Sequence, residues 1–592
     1  MSRVSISRSL LLVLILLLTA AATAQSARIR VDGRFADWQS LTPLYSDAIG
    51  DPAGGPLDFG RLWVANDEML LHLSLEVGGD MLLQQVNRIV LYLDTDNDAA
   101  TGTPVNGIGA ELEWRFGDRE GRFNTAGGST TISQNQIGIV TAPTVTGSRF
   151  EIALNRAAQP LPGQPLFSGD TIRIAFVDNG PGQDALPQQG ERVAYAFDPT
   201  PLPPLAAPSL RRAAGSDVRF LSWNVLSDGP FDAGRAPAFR RLLTAIAPDI
   251  IGFQEIYSRG AGETEQWVEA VLGGSDWYSA KAGPDNIAVS RYPITNAWAV
   301  EGNGAFLIDL RPMIDGDLLF LVAHPPCCEN DAGRQFEIDA LMAFIRDARE
   351  PGGVLDLPAN SPIVICGDMN LVGDAQQLTT LLTGDIVDEG RFGPDFAPDW
   401  DGSAFADLDP NTSALPLTFT WYSAGSSFSP GKLDYLIYSD SVIDSLHALA
   451  LFTPTLPTDT LARYGLLADD VTRASDHLPV IGDMRFRPLT GTGTHGNSNA
   501  GGFVLEQNYP NPFNPSTRVE FGVRNAGWVN LTVYDLAGRK VATLVDEPMG
   551  TGRHSVEWSG RNGAGNAVAS GVYLYRMTTG AFVQTRKMLL IR

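Results

Sequence analysis

Between residues 216 and 486 one pattern recurs: a short apolar run, of strand length, ends in a polar residue that can bind a metal or carry a proton. The runs are Phe220-Leu-Ser-Trp-Asn224, Asp249-Ile-Ile-Gly-Phe-Gln254-Glu255 and Leu319-Phe-Leu-Val-Ala-His324. Further along come Ile363-Val-Ile-Cys-Gly-Asp368-Met-Asn370, Gly431-Lys-Leu-Asp434-Tyr-Leu-Ile and Ala474-Ser-Asp476-His477-Leu-Pro. A strand that buries its apolar body presents its last residue at the sheet edge, so six such ends can converge on one place. Helical stretches such as 336–349 separate the runs, which predicts an α/β fold for residues 216–486.

The rest of the chain reads differently. Residues 28–200 hold short alternating runs, among them Leu70-Leu-His-Leu-Ser-Leu75 and Ile89-Val-Leu-Tyr-Leu93, broken by Gly, Asp and Pro; they predict a β-sandwich. Residues 201–215 open on a Pro-rich linker and residues 487–502 are flexible by composition. Residues 503–592 return to short strands and turns and predict a small Ig-like sandwich. Residues 1–24 read as a signal peptide: Arg3 and Arg8, the apolar run Leu10 to Leu18, then Ala22-Thr-Ala24. No later segment is long and apolar enough to span a bilayer.

Charge narrows the partners. Residues 216–486 carry 16 Lys and Arg against 39 Asp and Glu, nearly all of the chain's net −24. Nonspecific affinity for nucleic acid rests on cations that neutralise phosphates, and this region lacks that reserve. The chain's three cysteines, Cys327, Cys328 and Cys366, exclude a disulfide scaffold. The adjacent pair is either a vicinal disulfide or two thiols; Cys366 sits in an apolar strand.

Taken together and in this order, the six runs resemble the endonuclease/exonuclease/phosphatase superfamily. The resemblance covers nearly all of residues 216–486 and implies a four-layer α/β sandwich with two packed mixed sheets. It implies a Mg²⁺ or Mn²⁺ ion held by Glu255 with Asn224 beside it, since a hard cation takes oxygen ligands and needs only one or two carboxylates. Asp368 and Asn370 would orient the attacking water and the phosphate. His477, held by Asp476, would transfer the proton, and His324 would donate a hydrogen bond to the phosphate. Asp434 would serve as leaving-group acid or metal ligand. Asn286 is a candidate substrate contact, and Thr418-Phe-Thr-Trp421-Tyr resembles an aromatic strand, expected in the core. The activity implied is phosphodiester hydrolysis, most simply by a nuclease. A phosphatase or sphingomyelinase-like hydrolase is the second reading, with Ala448 to Leu456 its one candidate membrane hairpin. A catalytically silent surface-binding protein is the third.

The flanks carry resemblances of their own. Val31-Asp-Gly-Arg-Phe-Ala-Asp-Trp38 resembles the start of family-nine carbohydrate-binding modules and their DOMON-like relatives, which implies a carbohydrate partner. Asp94, Asp96 and Asp98 could supply oxygens to Ca²⁺ or form a solvated acidic turn. Leu505 to Thr517, Val533 to Val541 and Gly571 to Arg576 resemble the FlgD-Ig-like sorting domains of type IX secretion cargo. That implies a protein released from, or held at, the surface of a Gram-negative-type bacterium after handling by the type IX machinery.

Overall fold

A computed structural model describes residues 25–487 apart from 48, 49, 51–56, 207 and 315. It also describes residues 504–590 apart from 506, 507, 509, 510, 512, 524, 525, 536–538, 580 and 581. The expected signal peptide and most of the second linker lie outside these residues. The chain divides into two compact units, Met1–Phe344 with Ser361–Arg487, and Ile345–Asn360 with Pro488–Arg592.

The first unit opens on two β-sheets. One runs in the order Tyr45–Ser46, Arg61–Asn66, Leu70–Met81, Gly147–Asn155, Val140–Ala142; the other centres on Ile89–Asp94 between Thr171–Asp178 and Leu112–Arg115. The alternation of the sequence now has its reason. Leu71, Leu73 and Leu75 of one sheet and Ile89, Leu91 and Leu93 of the other share one core, as residues two apart on a strand face the same way.

Two more sheets form the central body of the same unit. In the first, Val218–Asn224 lies parallel to Ile250–Gln254 and antiparallel to Val480–Phe486; in the second, Asp317–Ala323 lies parallel to Ile363–Asp368, which pairs antiparallel with Asp434–Tyr438. All seven residues of Val218–Asn224 are buried, because both faces are covered. Leu221 and Trp223 pack under the helix Ala236–Ile246, against Phe239, Leu242 and Leu243. Val218 and Phe220 turn inward, where they meet Phe320, Val322, Val364, Cys366 and Leu436 of the second sheet. The helix Asp331–Arg349 touches the second sheet through Phe344 against Trp298, ring centroids 5.8 Å apart. Gly252 lets the sheets close: a β-carbon there would stand 2.5 Å from Cys366 Sγ. Ala448 to Leu456, the candidate membrane hairpin, is instead the end of a strand and a 3-10 turn, with Leu449, Leu451, Phe452 and Leu456 all buried.

The second unit holds a three-stranded and a four-stranded antiparallel sheet around one core that includes Val519, Leu531, Tyr575 and Met588. Among the described residues no helix is long and apolar enough to cross a membrane.

Candidate active site

Strand parity decides where the site forms. Asn224 follows Phe220 and Ser222 on the inward face of its strand, Asp368 follows Val364 and Cys366, and Asp434 precedes Leu436 and Tyr438. His324 lies one residue past its strand, in step with Phe320 and Val322. The polar ends therefore point into the gap between the two sheets at one edge of the sandwich. Glu255 leaves its strand with a left-handed φ of 64°, as does Asn370 with 50°. Non-glycine residues adopt that conformation rarely, and it is favoured where a side chain must be aimed.

Asp368 is the hub. Its Oδ2 accepts from Asn224 Nδ2 at 3.0 Å and lies 3.6 Å from His324 Nε2 and 3.5 Å from His477 Nε2. Its Oδ1 accepts from the Asn370 amide at 3.0 Å, and Asn370 Nδ2 donates to the Pro325 carbonyl. Asn224 Nδ2 also donates to Glu255 Oε1 at 3.0 Å, so one amide links two carboxylates.

Each histidine has its own carboxylate behind it. His324 Nδ1 is 2.6 Å from Asp285 Oδ2, and His477 Nδ1 is 2.8 Å from Asp434 Oδ2. An ionised carboxylate only accepts, so both rings carry the proton on Nδ1 and turn Nε2 toward Asp368. Burial works against a charged His477, but the charges of Asp434 and Asp368 and the hydrogen bond to Asp434 outweigh it and raise the ring to about 10. Burial likewise opposes a charged His324, while the bond to Asp285 and the charge of Asp368 lift it to about 9. In the metal-free protein both rings are thus held toward their charged form.

Four expectations are corrected. Asp476 does not hold His477; its Oδ2 accepts from Trp421 Nε1 at 3.1 Å, and Asp434 takes the histidine because its strand starts beside Asp368 in register. Asn286 does not face the site: it is fully buried, and Nδ2 donates to the Gly302 carbonyl. Its neighbour Asp285 faces the site in its place. Trp421 lines the cavity rather than the core. In the N-terminal sandwich, Asp94 and Asp96 cluster with Glu111 rather than Asp98, whose carboxylate accepts from the Ala100 amide. Asp285 and Glu111 were missed because neither ends an apolar run in a distinctive pattern. The only signal for Asp285 was its place at the head of the strand that contains Asn286.

The loop after His324 is set by a buried cation: Arg334 donates to the carbonyls of Pro326 and Cys328. Cys327 and Cys328 form a disulfide, and Cys366 is a buried free thiol. Trp38 is 1% exposed and donates to Glu151, so it offers no surface to a sugar.

A cation-binding reading suits the donor set. Carboxylate oxygens of Asp368 and Asp434 lie within 4.8 Å of one another, and Glu255 joins Asp368 through the shared Asn224 amide. Carboxylate oxygens are the donors that Mg²⁺ and Mn²⁺ prefer. Glu255, Asp285, His324, Asp368, Asn370 and His477 line a cavity of about 1010 Å³.

Residues 221–477 match the model of the Endonuclease/Exonuclease/phosphatase family, and residues 513–581 match that of the FlgD Ig-like domain. No curated protein matches the chain. Among solved structures, ANGEL2, a 2',3'-cyclic phosphatase, aligns at 15% identity over 47% of this chain and 99% of its own, with a TM-score of 0.31. An AP endonuclease from Archaeoglobus fulgidus aligns at 12% identity over 45% of this chain and 98% of its own, TM-score 0.28. Sphingomyelinase C from Streptomyces griseocarneus gives the same identity, coverage and score.

Proposed function

We propose that this protein is an exported, divalent-metal-dependent phosphoester hydrolase whose reaction takes place at Asp368. The observation that carries the proposal is the pair of carboxylate-backed histidines that face one carboxylate oxygen from two sides. The family match over residues 221–477 supports the same chemistry.

The two imidazolium rings each aim an Nε2–H at the space beside Asp368. A phosphate seated there receives two charge-assisted hydrogen bonds on its non-bridging oxygens. His477, the more buried ring, protonates the leaving oxygen, while Asp434 keeps it oriented. Asp368 accepts a hydrogen bond from the attacking water, and Asn224 and Asn370 hold Asp368 in place. Glu255 with Asn224, and Asp368 beside them, would hold the cation, which when bound neutralises phosphate charge and acidifies its water.

Export is read from residues 1–24 and from the FlgD Ig-like match, which fits a sorting domain. Calcium at Asp94, Asp96 and Glu111 and a carbohydrate ligand for the N-terminal sandwich remain narrower proposals, each open to a direct binding titration.

Extracellular nucleic acid is the substrate the sequence favours. One observation favours a second reading, small phosphoesters. The cavity has the size of a small-molecule site and holds six carboxylates, whereas a duplex needs an open cationic surface. The test is hydrolysis by the full chain of duplex DNA, single-stranded DNA, sphingomyelin and chromogenic phosphodiesters, each with Mg²⁺ and with chelator. Metal-dependent turnover of any one supports the hydrolase. No turnover of any would refute it.

A further inference from the structure

The N-terminal sandwich forms one wall of the active-site cavity. Leu82 to Gln85, Arg119, Pro143 and Thr144 line it together with the catalytic residues. The wall is fastened by polar contacts. Thr144 Oγ1 donates to the Leu371 carbonyl at 2.7 Å, the Ser429 amide donates to Gln84 Oε1 at 2.8 Å, and Thr141 and Ser429 share a hydroxyl bond at 3.0 Å.

Arg119 stands out on this wall. Among the described residues that line the cavity it is the sole Lys or Arg, on a lining that also holds Glu255, Asp285, Glu329, Glu337, Asp368 and Asp476. Among the described residues it has no carboxylate partner: its guanidinium donates to the Gln84 carbonyl at 2.7 Å and to Ser427 Oγ at 3.3 Å, both neutral. Its guanidinium carbon sits 4.2 Å above the Phe428 ring, so the side chain is held in position. Its backbone occupies a tight turn, φ 55°, between the strands Leu112–Arg115 and Glu120–Thr125. A positioned cation bonded only to neutral acceptors, in a chain of net charge −24, keeps its charge for a ligand.

We propose that Arg119 is an anion subsite, contributed by the N-terminal sandwich, that binds a second negatively charged group on a small phosphoester while the scissile phosphate sits at Asp368. The proposal rests on the hydrolase reading and narrows its substrate to compact esters with two anionic groups.

The test uses the full chain with Mg²⁺ and two probes, thymidine 5'-(4-nitrophenyl phosphate) and the same ester with an added 3'-phosphate. Release of 4-nitrophenolate is followed for wild type, Arg119→Asn and Arg119→Lys; asparagine tolerates the left-handed turn. One charge-assisted contact predicts kcat/KM roughly tenfold higher for the 3'-phosphorylated probe, mainly through KM. In Arg119→Asn the ratio falls to about one, and Arg119→Lys retains part of it. A ratio near one in wild type, or an unchanged ratio in Arg119→Asn, overturns the subsite and leaves the hydrolase standing. Turnover of neither probe by wild type, with Mn²⁺ tried as well, overturns the subsite, and the hydrolase reading falls with it only if the DNA and sphingomyelin substrates above are also left intact.

Discussion

At the scale of single residues, the two histidines are alike in design and unlike in surroundings. His477 is the more deeply buried of the two, although the carboxylates behind them, Asp434 and Asp285, are both buried. On the proposed mechanism, removing His477 should therefore cost more than removing His324. His477→Ala should lower kcat by about 10²–10⁴-fold, checked by single-turnover kinetics with circular dichroism to confirm the fold. Asp434→Asn should approach that loss, whereas Asp476→Asn should not, because Asp476 bonds to Trp421. If the two asparagine variants were equally impaired, the assignment of Asp434 would be wrong. The raised His324 also couples to stability in metal-free protein. Folding favours its charged form, so its contribution is fully present below the ordinary value of 6.5 and is lost as pH rises through about 9. In chelator, His324→Gln should destabilise most below pH 6.5 and least above 9, read from denaturant midpoints across that range.

At the scale of elements, inward-facing ends explain why so much of the site was legible. His324, Asp368 and Asp434 each keep step with apolar residues two and four positions away, and Asn224 with Phe220 four away, a period visible in the sequence. Which carboxylate serves which histidine was not legible, since that depends on register between strands far apart in the chain: Asp368 lies opposite Asp434, not Asp476. Asn286 misled because its amide is taken up by the Gly302 carbonyl, a partner sixteen residues away. The gap between the sheets is fixed by Gly252. Gly252→Ala should destabilise by about 1–3 kcal/mol through overpacking, and Cys366→Ala in the same chain should recover part of that loss, since Cys366 Sγ is the nearest atom. A double-mutant cycle in thermal melts measures the coupling; strict additivity would mean that the sheets separate rather than clash.

At the scale of the molecule, the N-terminal sandwich and the central body share packing, which no local pattern in the sequence announces. Leu82 to Gln85 and Arg119 fall in none of the motifs, and only the fold brings them within reach of residues more than a hundred positions away. The join is partly apolar: Val31, Leu70, Val140 and Ala153 are buried in the core that contains Trp223 and Phe419. It is also hydrogen-bonded and charged. The Val31 amide donates to the Pro416 carbonyl, Thr418 Oγ1 donates to the Val31 carbonyl, and Arg30 pairs with Asp409 at 2.9 Å. A wall that shapes a cavity must not drift, and a shared core is how two sandwiches avoid doing so. The consequence can be measured by hydrogen exchange on the full chain. Val31→Ala removes two methyl groups from a side that is 1% exposed, a loss of roughly 1–3 kcal/mol. If the two halves open as one cooperative unit, exchange should rise together in Leu70–Met81 of the sandwich and in Val218–Asn224 of the central body. Faster exchange confined to the sandwich would mean that the wall can detach from an intact catalytic body, and the cavity would then be open for part of the time.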